Sequence, residues 1–119
     1  PIFDKHGMTQ WYWRVTNTEN FNLGNQVEIG SFTVIDAKYG VTIEDNVKIG
    51  WSCSIFSNST IDNKKGKIIL KQGCNVGANS VILPGITIGE NATIGANSLV
   101  NKNIPSNEIW AGSPARKIK

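Results

Sequence analysis

From Leu70 to Val100 the chain reads LKQGCNVGANSVILPGITIGENATIGANSLV, with an aliphatic residue at Leu70, Val76, Ile82, Ile88, Ile94 and Val100, one every six residues. An α-helix cannot hold that period on one side. At about 100° per residue, six steps end about 120° short of two full turns, and the aliphatic residues would spiral around the axis. A short strand and a tight bend, repeated every six residues, put all of them inside a coil. Residues four places on, Cys74, Ser80, Ile86, Ala92, Ser98 and Ile104, are small or modest in size. They lie two residues before the next aliphatic and so share its strand face, as a second inward position.

The bends have matching chemistry. Three residues after each aliphatic stands Gly73, Asn79, Gly85, Asn91, Asn97 or Asn103, the residue types that tolerate the left-handed αL conformation of a sharp corner. Period and corner together predict an all-β fold, a parallel β-helix built on a hexapeptide repeat. Looser repeats run back through Leu23, Ile29 and Ile35, then Ile43, Ile49, Ile55 and Ile61. The step from Ile35 to Ile43 is eight, which places an insertion of two near Tyr39 to Val41. The step from Ile61 to Leu70 is nine, and its content, Asp62 to Lys67, is polar, charged and glycine-containing, as in a loop. With three hexads to a triangular coil, coils start at Leu23, Ile43, Ile61, Ile82 and Val100, giving four to five coils. Three segments follow: an N-terminal cap over 1–22, the repeat over 23–104 with a loop at 62–67, and a tail over 105–119. In the first, Trp11, Trp13 and Val15 alternate with Tyr12 and Arg14, as in a strand. These aromatics fit a cap over the open solenoid end, with sugar stacking by Trp11 or Trp13 as the functional alternative.

Composition narrows the function classes. The 119 residues carry a net charge of +3 with basic residues gathered at Lys64 to Lys71 and Arg116 to Lys119, and no recognition helix or aromatic-basic platform points to nucleic acid. No apolar run approaches the ~20 residues of a membrane-spanning helix, and the expected location is the cytoplasm. Cys53 and Cys74 both fall on the second inward position, so they are expected as packed thiols. The single histidine, His6, cannot furnish the three-imidazole metal site of the γ-class carbonic anhydrases that share this coil, and no metal is expected. Thr60, Thr87 and Thr93 do not form the regular array of an ice-binding solenoid.

The block IGANSVILPGITIGENATIGANSLV, followed by IPSNEIWAGSPARKIK, closely resembles the hexapeptide-repeat acyltransferases, a left-handed β-helix family that includes bacterial sugar O- and N-acetyltransferases. The left hand comes from the resemblance alone, since parallel crossovers are normally right-handed. The resemblance implies an acetyl-CoA-dependent acetyltransferase, a homotrimer acting on a sugar or nucleotide-sugar hydroxyl or amine, as in polysaccharide biosynthesis. It also implies that Gly77, Ala78, Ser80, Ala96 and Ser98 line the pantetheine groove, and that Ala111, Gly112, Pro114 and Arg116 close it near the adenine. Members of the family use a histidine as general base, often in stretches equivalent to 57–60 or 77–80, where this chain has Asn58 and Asn79. Both asparagines fall at the corner phase. His6 is therefore the catalytic candidate, and a catalytically silent assembly or binding solenoid is the alternative. Among the acidic residues, Asp62 stands out for leading into the polar loop. Val81, Leu83 and Leu99 form an outward apolar stack on one face, the expected contact between subunits.

Overall fold

The computed structural model describes residues 1–119, and it is a left-handed parallel β-helix of about five turns. Each turn lays one short strand on each of three faces. The first face stacks Arg14–Thr16, Val34–Asp36, Ser54–Phe56, Val81–Ile82 and Leu99–Val100. Its second stacks Phe21–Leu23, Val41–Ile43, Ile68–Leu70 and Thr87–Ile88, and its third Glu28–Ile29, Lys48–Ile49, Asn75–Val76, Thr93–Ile94 and Ile109–Gly112. Pairing between coils is parallel and in register, so that Val15, Ile35, Ile55, Ile82 and Val100 form one continuous column. All five are fully buried, as is the column Ile43, Leu70 and Ile88 on the second face. The six-residue period therefore reports burial directly.

The second inward positions are filled as expected: Cys74, Ser80, Ile86, Ala92, Ser98 and Ile104 are all buried. Their hydroxyls do not go unpaired. Ser80 Oγ donates to the Gly95 carbonyl at 3.2 Å and Ser98 Oγ donates to the same carbonyl at 2.7 Å, which offsets the cost of burying a polar group. Cys53 and Cys74 are free and buried. Desolvation pushes the Cys74 thiol up to about 12, with the Glu44 carboxylate adding to the effect, and burial raises Cys53 as well.

Corners follow the chemistry read from the sequence at Gly73, Asn79, Gly85, Asn91 and Asn97, all with positive φ. Asn103 departs from it. Its backbone is not left-handed, and its Oδ1 instead accepts from the Thr87 backbone N–H at 2.8 Å, tying down the chain where the last coil tapers to Ile104. Coil stacking also explains Gly77. A Cβ placed there would lie 2.4 Å from the Ala96 nitrogen, too close for two coils at normal spacing.

Two boundaries differ from expectation. Arg14–Thr16 already pairs with Val34–Asp36, so the first coil starts before Leu23, and the covering of the open end falls to the edge-to-face cluster of Phe3, Trp13 and Phe21. Ile61 keeps the six-residue spacing from Ile55, yet it is 99 % exposed. The chain leaves the coil after Ser57, forms an antiparallel hairpin of Asn58–Ser59 with Lys64–Lys65, and rejoins at Gly66, whose N–H donates to the Ser57 carbonyl at 2.9 Å. The excursion is thus longer than 62–67, and the coil resumes with Ile68 and Leu70, both buried. At the far end Ile109–Gly112 and Ala115–Lys117 form a second antiparallel hairpin on the third face. The eight-residue step after Ile35 is absorbed at a corner whose Gly40 has φ 102° and donates to the Ala37 carbonyl.

Two outcomes test this packing. Gly77→Ala should cost about 1–3 kcal/mol through overpacking of adjacent coils, read as a lower denaturant midpoint at unchanged slope. For Cys74 the folded state holds the proton more tightly than the unfolded state, so its contribution is complete below pH 9 and declines as pH climbs towards 12. The slope is about 1.4 kcal/mol per pH unit in that window. Cys74→Ala should abolish that part of the alkaline loss of stability; the same slope in wild type and variant would contradict it.

Candidate active site

The corner joining the third face to the first concentrates the features expected of a binding groove. Its residues stack in register down the solenoid: Ser31, Trp51, Ala78 and Ala96 occupy one position, each followed by an αL residue. Ala78 and Ala96 are exposed, Gly112 continues their line, and the half-buried Ala111 lies against Gly95, where an added Cβ would come 2.8 Å from the Ala111 Cβ. Beside this corner a cleft of about 510 Å³ runs along the third face. The outward side chains of Glu28, Lys48, Asn75 and Thr93 line it, together with Gly77 and Trp51.

The expected cofactor residues divide by direction. Ala78, Ala96, Ala111 and Gly112 lie along the corner, and Gly77 also lines the cleft. Ser80 and Ser98 do not face outward. Both are buried, and Ser98 Oγ accepts from the Gly112 N–H at 3.1 Å, so these hydroxyls bind one coil to the next and fasten the tail to the last coil. Pro114 and Arg116 sit on the exposed terminal hairpin, where Arg116 pairs in register with Ala111. The adjacent Lys117 makes a 3.3 Å ion pair with Glu108, whose carboxylate also accepts from Trp110 Nε1 at 2.9 Å; the Trp110 bond and this lysine hold its pKa below the usual range.

His6 lies elsewhere. It is exposed, its N–H donates to Asp4 Oδ1 at 2.8 Å, and its carbonyl accepts from Arg14 Nε at 2.7 Å. Its side chain borders a polar cavity of about 330 Å³ with Asp4, Lys5, Arg14 and Glu19. Asp4 there is held below its ordinary value by the backbone N–H groups of Met8 and His6. Within one chain His6 does not line the cleft that Gly77 lines. Asn79 is the αL corner the sequence implies, with Nδ2 donating to Asn97 Oδ1 at 2.9 Å. Asn58 is not a corner, because it stands in the hairpin opposite Lys65. Asp62, also on the hairpin, pairs with Lys64 at 3.9 Å. Trp13 is buried in the end cluster and cannot stack on a ligand, whereas Trp11 is 52 % exposed.

Lys48, Asn75 and Trp51 are cleft residues that the inward period does not reveal. Their signal was available in the outward position one residue before, or two after, the aliphatics of the third face.

Known proteins place this architecture. Residues 67–102 match the family described as bacterial transferase hexapeptide (six repeats). The chain is 34 % identical over 115 residues to a galactoside O-acetyltransferase of Escherichia coli (strain K12), covering 83 % of this chain and 56 % of that protein. A hexapeptide-repeat acetyltransferase of Vibrio cholerae, solved with acetyl coenzyme A, superposes with a TM-score of 0.85 at 27 % identity, over 90 % of this chain and 63 % of that one. A mutant of AntD, an N-acyltransferase from Bacillus cereus, solved with dTDP-4-amino-4,6-dideoxyglucose and coenzyme A, gives a TM-score of 0.69 at 27 % identity, over 90 % and 69 %. The chain thus spans between about half and two thirds of the length of these relatives. Repeat, coil geometry and relatives agree, and the chain is a hexapeptide-repeat, left-handed β-helix similar to bacterial acetyltransferases built on that repeat.

Proposed function

We propose that the chain transfers an acetyl group from acetyl-CoA to a hydroxyl or amine of a sugar or nucleotide-sugar. The observation that carries this reading is the line of small exposed residues, Ala78, Ala96 and Gly112, along one corner, with the half-buried Ala111 beside it. No large side chain stands on that line, so an extended thioester arm can reach the backbone over two coils and the tail. Arg116, exposed on the terminal hairpin, is available for charge-assisted bonds to phosphate oxygens at the nucleotide end. Relatives solved with acetyl-CoA or with coenzyme A and a dTDP-sugar support the same donor and acceptor classes.

In the transfer, the acceptor oxygen or nitrogen attacks the thioester carbonyl, the C–S bond breaks, and coenzyme A leaves as the thiol after taking up the proton that the acceptor gives up. A hydroxyl acceptor needs a base, a contribution on the order of 10² to 10⁴ in rate. Part of an amine population is already neutral near pH 7, and positioning it beside the thioester supplies much of the acceleration. His6 borders a different cavity from the cleft, which favours an amine acceptor for a single chain. A silent assembly solenoid is the second reading, favoured by asparagine at 58 and 79.

Assembly and place of action belong to the same proposal. Val81 and Leu99 lie in register, facing outward on the first face with Leu83 nearby, each only partly buried. This apolar stack supports a homotrimer, and use of acetyl-CoA supports work in the cytoplasm.

Isothermal calorimetry should detect acetyl-CoA binding, weakened at least tenfold by Ala96→Trp, which puts an indole across the line of small residues at an exposed site; a chain that ignores acetyl-CoA would be the silent solenoid. His6→Ala should leave amino-sugar acetylation within a few-fold of wild type, and a hundredfold fall with binding intact would make His6 the base. Leu99→Asp should reduce the mass seen by light scattering from trimer to monomer.

A further inference from the structure

The corner beside the cleft holds an αL residue in every coil: Tyr12, Phe32, Ser52, Asn79 and Asn97, with φ from 58° to 68°. The other non-glycine residues with positive φ are Asn17, Gln26, Asn46, Asn63, Asn91 and Asn107. Asparagine suits this conformation because its short amide can bond locally, whereas a bulky aromatic gains nothing there and is an outlier. Both aromatic outliers thus fall in successive coils of one corner. Neither serves the core, for Tyr12 is 63 % and Phe32 61 % exposed. Trp51, 60 % exposed, extends the row in the third coil, with ring centres 6.5 Å apart from Tyr12 to Phe32 and 6.0 Å apart from Phe32 to Trp51. At the position of Trp51 the next two coils carry Ala78 and Ala96, so the corner is aromatic over its first three coils and bare over the rest.

We propose that Tyr12, Phe32 and Trp51 form a platform for a neutral saccharide of two or more residues, bound through the apolar faces of its rings. The inference rests on the transferase reading for its meaning, since it makes the aromatic half of the corner the acceptor side and the bare half the donor side, meeting between Trp51 and Ala78. One ring per coil provides a row of stacking surfaces along the axis, suited to a ligand of repeated units rather than a single ring. The cleft that Trp51 borders supplies the polar partners a sugar requires: the Glu28 carboxylate, the Lys48 ammonium and the Asn75 amide. Its two charged linings are of opposite sign and lie in register on adjacent coils. That balance fits an uncharged ligand and leaves no surplus cation for a nucleoside diphosphate.

The test uses the intact chain and two variants. Tyr12→Asn/Phe32→Asn gives the corner the residue its backbone favours, and Trp51→Ala changes the row at a site with ordinary φ. Saturation-transfer NMR would be run with lactose, maltotriose, cellotriose and chitobiose, with thymidine diphosphate as the nucleotide arm. At least one saccharide should bind the wild-type chain and bind each variant at least tenfold more weakly, while the thermal midpoint of the double variant stays level or rises. Absence of saccharide binding to the wild type, equal binding by the variants, or binding of thymidine diphosphate alone would overturn the proposal. So would dissociation of the double variant to a smaller mass in light scattering, which would make the rings a contact between copies. Acetyl-CoA calorimetry on the same samples separates the two readings: a chain that binds saccharide but no acetyl-CoA loses the transferase reading and keeps the platform.

Discussion

Outside its two hairpins, hydrogen bonds between strands in this solenoid run from one coil to the next, so each coil must present the same backbone geometry as its neighbours. The αL corner is what permits this. Residues such as Asn79, Asn91 and Asn97 turn the chain through the same angle at matching places, and Ile82 is then set over Ile55 and Val100 without adjustment. Burial follows from the register rather than the reverse. Once the corners agree, a single column of aliphatic residues per face fills the interior, and the space left beside it is taken by side chains no larger than isoleucine, most of them small, as at Cys74, Ser80, Ala92 and Ser98.

The same constraint explains which parts of the molecule could be read from the chain. Inward positions recur at fixed spacing and carry a narrow set of residue types, so the three columns and their second positions were legible from Leu70 to Val100. The N-terminal start and the hairpin were not. Trp13 and Val15 belong to a coil that precedes the clear repeats, and their alternation is equally that of an isolated strand. Ile61 kept the spacing by coincidence, because an excursion that returns to the same place leaves no mark on the period until the chain has rejoined it. Only the polar run from Asn58 to Lys65, broken by Ile61 alone, distinguishes the hairpin, and such a run does not separate a hairpin from a plain loop.

The candidate site was half legible for a related reason. Gly77, Ala78, Ala96 and Ala111 are small and stand at the corner. Small residues, however, answer two demands that sequence cannot separate. Gly77 is required by the backbone of Ala96, and Ser80 and Ser98 by the interior, whereas Ala78 and Ala96 answer to neither and point outward. Lys48, Asn75 and Trp51 stand at outward positions that keep the spacing of the repeat but no fixed residue type, so the sequence does not mark them as cleft residues. What sets the aromatic row apart is the conflict between Tyr12 or Phe32 and the backbone that holds them, visible only once φ is known.

The hairpin from Ser57 to Gly66 closes on itself through the bond from the Gly66 N–H to the Ser57 carbonyl. The coils on either side meet as though it were absent, with Ile43 over Leu70 and Ile55 over Ile82. The solenoid therefore tolerates an insertion at this point without any change in its own register, and what the insertion contains is released from the demands of the repeat. Such a socket separates two kinds of sequence change: substitutions in the coils are judged by fit to their neighbours, whereas length and chemistry at the socket can drift freely.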